Sequence, residues 1–125
     1  PDQVREGARK KRIPLELDII RDRNQLFTMS SDGGIENSYT LKILNMDSAP
    51  HRYRITATGI DGLKIQGATE AEVNGSEVLS LPLRLTVPAQ QLGQGSRKIL
   101  FSLEAIDRDD YRITQESRFI GPAQR

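Results

Sequence analysis

IENSYTLKILNMDSAPHRYRITATG, residues 35–59, holds two alternating runs joined by one polar segment. Tyr39, Leu41 and Ile43 recur at every second position with Thr40 and Lys42 between them, which places the apolar side chains on one face of a half-buried strand. Asn45 to Pro50 interrupts the pattern as a turn. Tyr53, Ile55 and Ala57 then resume it, with Arg52, Arg54 and Thr56 pointing the other way. A helix would need apolar residues at three- and four-residue spacing, and the β-branched and aromatic content argues for strands. The two runs are therefore expected to form an inner β-hairpin, with the remaining strands as their partners.

Upstream of this stretch, Ile13 to Arg21 alternates through Leu15, Leu17 and Ile19, and Pro14 sits at the start, where a strand tolerates a missing N–H. That is an expected edge strand. Leu26, Phe27 and Met29 suggest a short strand before the Gly33-Gly34 turn. Downstream, Leu63 to Ile65 and Ala71 to Val73 are short strands, and Asn74-Gly75 suits a type I′ turn. Leu79, Leu81, Leu83, Leu85 and Val87 form the longest alternation, in which Pro82 marks an edge or a bulge. Pro88 to Ser96 is a loop. Ile99 to Ala105, an acidic turn at Asp107 to Asp110, and a strand through Tyr111, Ile113 and Phe119 complete the chain. About seven main strands at short spacing with no convincing helix predict an all-β antiparallel β-sandwich, immunoglobulin-like by default although the usual core cysteines and tryptophan are absent.

Composition narrows the chemistry. A chain of 125 residues is one domain, large enough for a single core. It has no cysteine, which excludes disulfides, thiolate metal sites and cysteine nucleophiles. The net charge of +1 gives no global attraction to nucleic acid, and Arg52, Arg54, Arg84, Arg97 and Arg112 lack the interleaved aromatics of a single-strand binding face. They read as a solvated face. Residues 1–12 are different: five cations, Arg5, Arg9, Lys10, Lys11 and Arg12, stand against Asp2 and Glu6. This segment reads as a solvated basic linker, with the folded domain over 13–125; the sharper reading of Arg9 to Arg12 is a patch that leans on anionic lipid. The chain opens on Pro1, without an initiator methionine or any run long enough to span a membrane, as expected for a piece of a longer protein.

Candidate sites are few. His51 is the sole histidine, and with Met46 and Met29 it forms a sparse thioether–imidazole set for copper. The competing reading of His51 is a turn-stabilising residue. No nucleophile motif surrounds any serine, and the acidic turn at Asp107, Asp109 and Asp110 reads as a solvated hairpin rather than a calcium site. Asn74-Gly75-Ser76 has the form of a glycosylation sequon already explained as a turn.

Three segments resemble the C-terminal domain of the FixG/CcoG family. They are Pro14 to Asn24 (PLELDIIRDRN), Ile35 to Ile43 followed by Asn45 and Pro50-His51-Arg52-Tyr53, and the closing Ser117 to Pro122 (SRFIGP). The resemblance implies an immunoglobulin-like, non-catalytic domain on the periplasmic face of the bacterial inner membrane. Residues 1–12 would link it to a membrane segment, and the missing part of the parent would carry two four-iron clusters, with no cofactor in this domain. It implies a role in assembly and copper supply of a cbb-type cytochrome oxidase. The partners would be an oxidase subunit, a copper carrier or the parent's own membrane region. Four cations directly after a membrane helix would by themselves favour the cytoplasmic side; the family's placement is kept. Direct copper binding through His51 and Met46, and a free-standing adhesive or chaperone-like sandwich offering an edge strand, are the alternatives.

Overall fold

A computed structural model describes residues 13–22, 27–29, 33–92 and 95–122. Nine strands lie among these: β1 (Leu15–Arg21), β2 (Thr28–Met29), β3 (Ile35–Asn45), β4 (His51–Thr58), β5 (Lys64–Gln66), β6 (Glu70–Val73), β7 (Val78–Val87), β8 (Ser96–Ala105) and β9 (Arg112–Ile120). Two of them, β2 and β5, are fragments of two and three residues, which leaves the seven main strands the alternation predicts. Pro88 to Ser96 is expected to be loop, yet it contains one helical turn, α1 (Ala89–Leu92), whose Leu92 is buried under the sandwich end.

The strands form two antiparallel sheets. One has the order β1-β3-β7-β5 with β2 also on β3; the other has the order β6-β4-β8-β9. The alternating residues turn inward as read: Tyr39, Leu41 and Ile43 from β3, Leu83, Leu85 and Val87 from β7, Tyr53 and Ile55 from β4, and Ile99, Phe101 and Leu103 from β8 are all buried. Tyr39 meets Phe101 edge-on across the layers, ring centroids 5.2 Å apart. Each such fully buried Leu, Ile or Phe contributes about 1.5–3 kcal/mol of transfer free energy, so the inner faces hold the two sheets together.

The expected inner hairpin does not form. β3 is flanked by β1 and β7, while β4 is flanked by β6 and β8, so the two runs lie in opposite sheets. Alternation identifies a strand with one buried face, and two such faces satisfy each other equally well across a sandwich or side by side. Asn45 decides between them. Its buried amide donates to Ala49 O at 2.9 Å and Val73 O at 3.0 Å, and its Oδ1 accepts from Asp47 N at 3.0 Å, which curls residues 46–50 over the end of the sandwich.

The same crossing explains a second departure. Asn74-Gly75 links β6 of one sheet to β7 of the other, and the residue with positive φ is Ser76, at 61°, instead of Asn74 and Gly75. Glu77 N–H donates to Asn74 O at 3.3 Å, closing a turn with positive φ at its third residue only, the pattern of type II and not I′. Glycine is needed at 75 for space: a Cβ there would run into the Ser48 carbonyl of the 46–50 loop.

β1 pairs only with β3, as an edge strand. The register of β7 on β3 runs unbroken through the Thr40–Pro82 pair, so there is no bulge, and on its other side β7 is covered by β5 only at Arg84, Leu85 and Thr86. Pro82 therefore lies on an uncovered stretch of edge, where its missing donor removes no ladder bond.

Candidate functional site

The chemistry-bearing side chains gather at the end of the sandwich where β3 finishes and β4 begins. His51 is the first residue of β4, in phase with the inward-facing Tyr53 and Ile55, and only 6% exposed. Its Nε2 lies 2.7 Å from Asp47 Oδ2 in the 46–50 loop, and its Nδ1 lies 2.9 and 3.1 Å from the two oxygens of Asp107 in the β8–β9 turn. Carboxylates only accept, so both contacts are hydrogen bonds when both ring nitrogens carry protons. Burial opposes the charged ring, the bonds to Asp47 and Asp107 favour it, and the balance raises its pKa above the ordinary 6.5. The His51 N–H, seconded by the Ser48 backbone N–H, holds Asp47 below its usual 3.8.

Aromatic groups surround the clamp. The Tyr111 ring stands edge-on to His51 at 5.4 Å, and Arg108 lies over Tyr111, its guanidinium carbon 4.3 Å from the ring centroid. Arg108 in turn grips Asp110 through Nε and Nη2 at 3.2 and 3.0 Å. Beneath, Tyr53 is fully buried and its hydroxyl meets no hydrogen-bond partner among the described residues. Burial, reinforced by Asp107 and Asp47, pushes its pKa up to about 12.

A second set of polar groups fastens the sheets at the opposite end. Asn37 is buried in β3; its Nδ2 donates to Ile120 O at 2.9 Å and its Oδ1 accepts from Ile120 N at 2.8 Å. Tyr39 Oη donates to Arg118 O at 2.8 Å. On the open flank, Gln115 Nε2 donates to Leu17 O at 3.0 Å. Read from sequence, Asn37, Asn45 and Asp47 carry no site role and Asp107 belongs to a solvated turn; the structure gives all four a structural one. The signal was present: positions 35, 37, 39, 41, 43 and 45 face inward together, and an asparagine in that phase must find partners inside.

The three copper candidates do not gather at one point. Met29 sits on β2 opposite Ile35, at the start of β3, while Met46 follows the end of that 11-residue strand, about 35 Å away at ~3.3 Å per residue. Met29 is 61% and Met46 44% exposed. Met46 borders an apolar groove with Ile13, Pro14 and Ile113, and both nitrogens of His51 are occupied by carboxylates. Among the described residues no group of three or more His, Cys, Asp or Glu is arranged to hold a metal ion. Arg9, Lys10, Lys11 and Arg12 lie outside the described residues.

Three of the strand arginines are paired with carboxylates: Arg52 with Glu70 and Glu72, Arg54 with Glu70, and Arg112 with Glu104, on largely exposed surface. Arg97 donates to Leu92 O at 2.9 Å. Such exposed pairs contribute little, ~0–1 kcal/mol each, and form a solvated face.

Comparison with known proteins adds a family. Residues 8–122 match the family model described as "IG-like fold at C-terminal of FixG, putative oxidoreductase". The chain is similar to the nitrogen fixation protein FixG of Rhizobium meliloti, 34% identical over 64 residues, which cover 51% of this chain and 12% of that protein. It is 33% identical over 72 residues to protein RdxA of Cereibacter sphaeroides, covering 58% of this chain and 14% of the relative. The matched segment is thus a small fraction of either curated relative. Among solved structures, a FixG-related protein from Vibrio parahaemolyticus superposes with a TM-score of 0.77 at 34% identity, covering 86% of this chain and 95% of that one. No helix among the described residues is long and apolar enough to cross a membrane.

Proposed function

Since the chain belongs to the family of IG-like domains at the C-terminal of FixG, we propose that it serves its parent as a non-catalytic docking module. The parent, on this reading, is a membrane-bound iron–sulfur redox protein engaged in assembly and copper supply of a cbb-type oxidase. The domain stands on the periplasmic side, and the basic charge of Arg9 to Arg12 suits an anionic lipid surface. This chain has no cysteine, so it offers no thiolate to a cluster; the two four-iron clusters belong to the rest of the parent. The observation that carries the docking role is where the polar side chains of the family-like segments are spent. Asn37, Tyr39, Asn45 and His51 are all committed to hydrogen bonds that fasten strands and loops of this domain. What such a scaffold offers is a rigid body with shaped ends, and the oxidase subunit, a copper carrier or the parent's membrane part are the surfaces it would meet.

The test uses the parent protein with and without residues 13–125. The expected result is that removal leaves the iron–sulfur absorption and its chemical reducibility intact while association with purified oxidase subunit, copper carrier or the separately made membrane part is lost. Unchanged association with all three overturns the docking role.

A further inference from the structure

The geometry points to His51 as a proton-operated latch between two loops, engaged while both ring nitrogens carry protons and released on the Asp107 side when one proton is lost. The ring lies between Asp47 of the 46–50 loop and Asp107 of the β8–β9 turn, at 2.7 and 2.9 Å, and no strand ladder joins those two segments directly. A neutral imidazole has one N–H and one lone pair. With the proton lost, one carboxylate must face that lone pair, and the contact turns from attraction to repulsion.

The two sides are unequal. Asp47 holds the shorter bond, is four residues from His51, and is anchored by Ser48 N–H at 2.8 Å. Its side chain is 29% exposed. The Asp107 side chain is 56% exposed and sits on a turn that solvent reaches freely. The remaining Nε2–H therefore stays with Asp47, and Asp107 leaves. The other groups facing the ring are Tyr53 from β4 beneath it and Tyr111 at the entry to β9, with Arg108 stacked on Tyr111. Burial pushes the Tyr53 phenol up to about 12, far above the range in which an imidazole titrates, and the hydrogen bond to Asp110 keeps Arg108 charged, so neither substitutes for the lost proton. The latch governs how firmly residues 106–111 are held to the sandwich end: Ile106 N–H on Arg52 O at 2.8 Å, Ala105 N–H on Tyr111 O at 2.9 Å and Tyr111 N–H on Arg108 O at 3.4 Å are the backbone bonds that flank the released carboxylate.

Because His51 is the sole histidine, its ring nitrogens are followed unambiguously by ¹⁵N NMR from pH 5 to 9 on the isotopically labelled 125-residue chain. The expected course is a doubly protonated ring at the acid end. On titration, amide shifts of Ile106 to Tyr111 move with the same midpoint while those of Asp47 and Ser48 move less. Exchange protection of Ile106 and Tyr111, corrected for intrinsic rate, falls about tenfold, the scale of one lost charge-assisted hydrogen bond. Asp107→Asn, an exposed change that leaves the core intact, abolishes the step in the turn. A ring already neutral at pH 5, a titration that leaves 106–111 unmoved, or a step that persists in Asp107→Asn each overturns the latch.

Discussion

The side-chain amide of Asn37 pairs with the backbone of Ile120 as another strand would, donating to its carbonyl and accepting from its N–H, at 2.9 and 2.8 Å. A β3 side chain thereby serves as the missing neighbour for the free edge of β9 and ties one sheet to the other. Asn37→Ala removes both bonds and leaves the amide and carbonyl of Ile120 poorly paired beside the core. Its expected effect is a loss of about 2–4 kcal/mol, two hydrogen bonds plus part of a desolvation penalty. Urea unfolding checks it, as a lowered midpoint at unchanged slope. Asn37→Asp should be no rescue, because a carboxylate cannot donate to Ile120 O.

The two buried tyrosines make opposite expectations. Tyr39 Oη donates to Arg118 O, so Tyr39→Phe is expected to lose about 1 kcal/mol. Tyr53 Oη has no partner among the described residues, so Tyr53→Phe is expected to be neutral or slightly stabilising. Parallel denaturation of the two variants decides it; equal losses would contradict the assignment of these hydroxyls.

Stability should depend on pH through the clamp. The pKa of His51 is raised on folding, so its contribution is complete below about 6.5 and is lost as pH climbs through the higher folded value. That of Asp47 is lowered, so its contribution is complete above about 3.8 and disappears as pH falls through the lower folded value. Between these limits both are present. Thermal unfolding across pH 3 to 9 should show the wild type losing stability on the alkaline side of this window. His51→Gln should flatten that limb.

Gly75 packs against the Ser48 carbonyl, which an added Cβ would meet, and its φ is not positive. Gly75→Ala is therefore expected to destabilise through crowding, by about 1–3 kcal/mol. The comparison is Gly33→Ala, where nothing stands within 4 Å but φ is +91°, and where only the backbone penalty of about 1 kcal/mol applies. Chemical denaturation of both variants separates crowding from conformational strain.

Copper offers a direct check on the occupied imidazole. With both ring nitrogens facing carboxylates and Met29 at the far end of β3, Cu(I) under reducing conditions and Cu(II) in air are expected to bind no tighter than ~0.1 mM, about 5.5 kcal/mol. Residue-resolved NMR titration reports the result. Saturable shifts centred on His51 and Met46, absent in His51→Ala, would make this domain part of the copper path instead.

Strand existence was legible because period-two alternation follows directly from half-burial. The inward phase of β3, β7 and β8 could be read residue by residue, and the family resemblance was carried by segments that the family match spans. Sheet membership was not legible. The 35–59 stretch reads equally well as a hairpin or as a crossing, since the deciding contacts, Asn45 to Ala49 and Val73, join side chain to backbone across up to 28 residues. The clamp was hidden for a related reason. His51 reads as a turn residue when β4 is begun at Tyr53; extended by two positions, the same alternation carries the imidazole inward, and Asp107, 56 residues away, completes it.

The Asn37 pairing also has a meaning in time. It joins positions 83 residues apart, so no part of it can form until almost the whole domain has left the ribosome. Throughout synthesis Asn37 remains an amide on an otherwise greasy strand, hydrated and reluctant to be buried, which holds β3 back from closing on whatever apolar surface arrives first. β9 relieves it on both its donor and its acceptor side, so the residue that secures the finished sandwich also discourages premature ones.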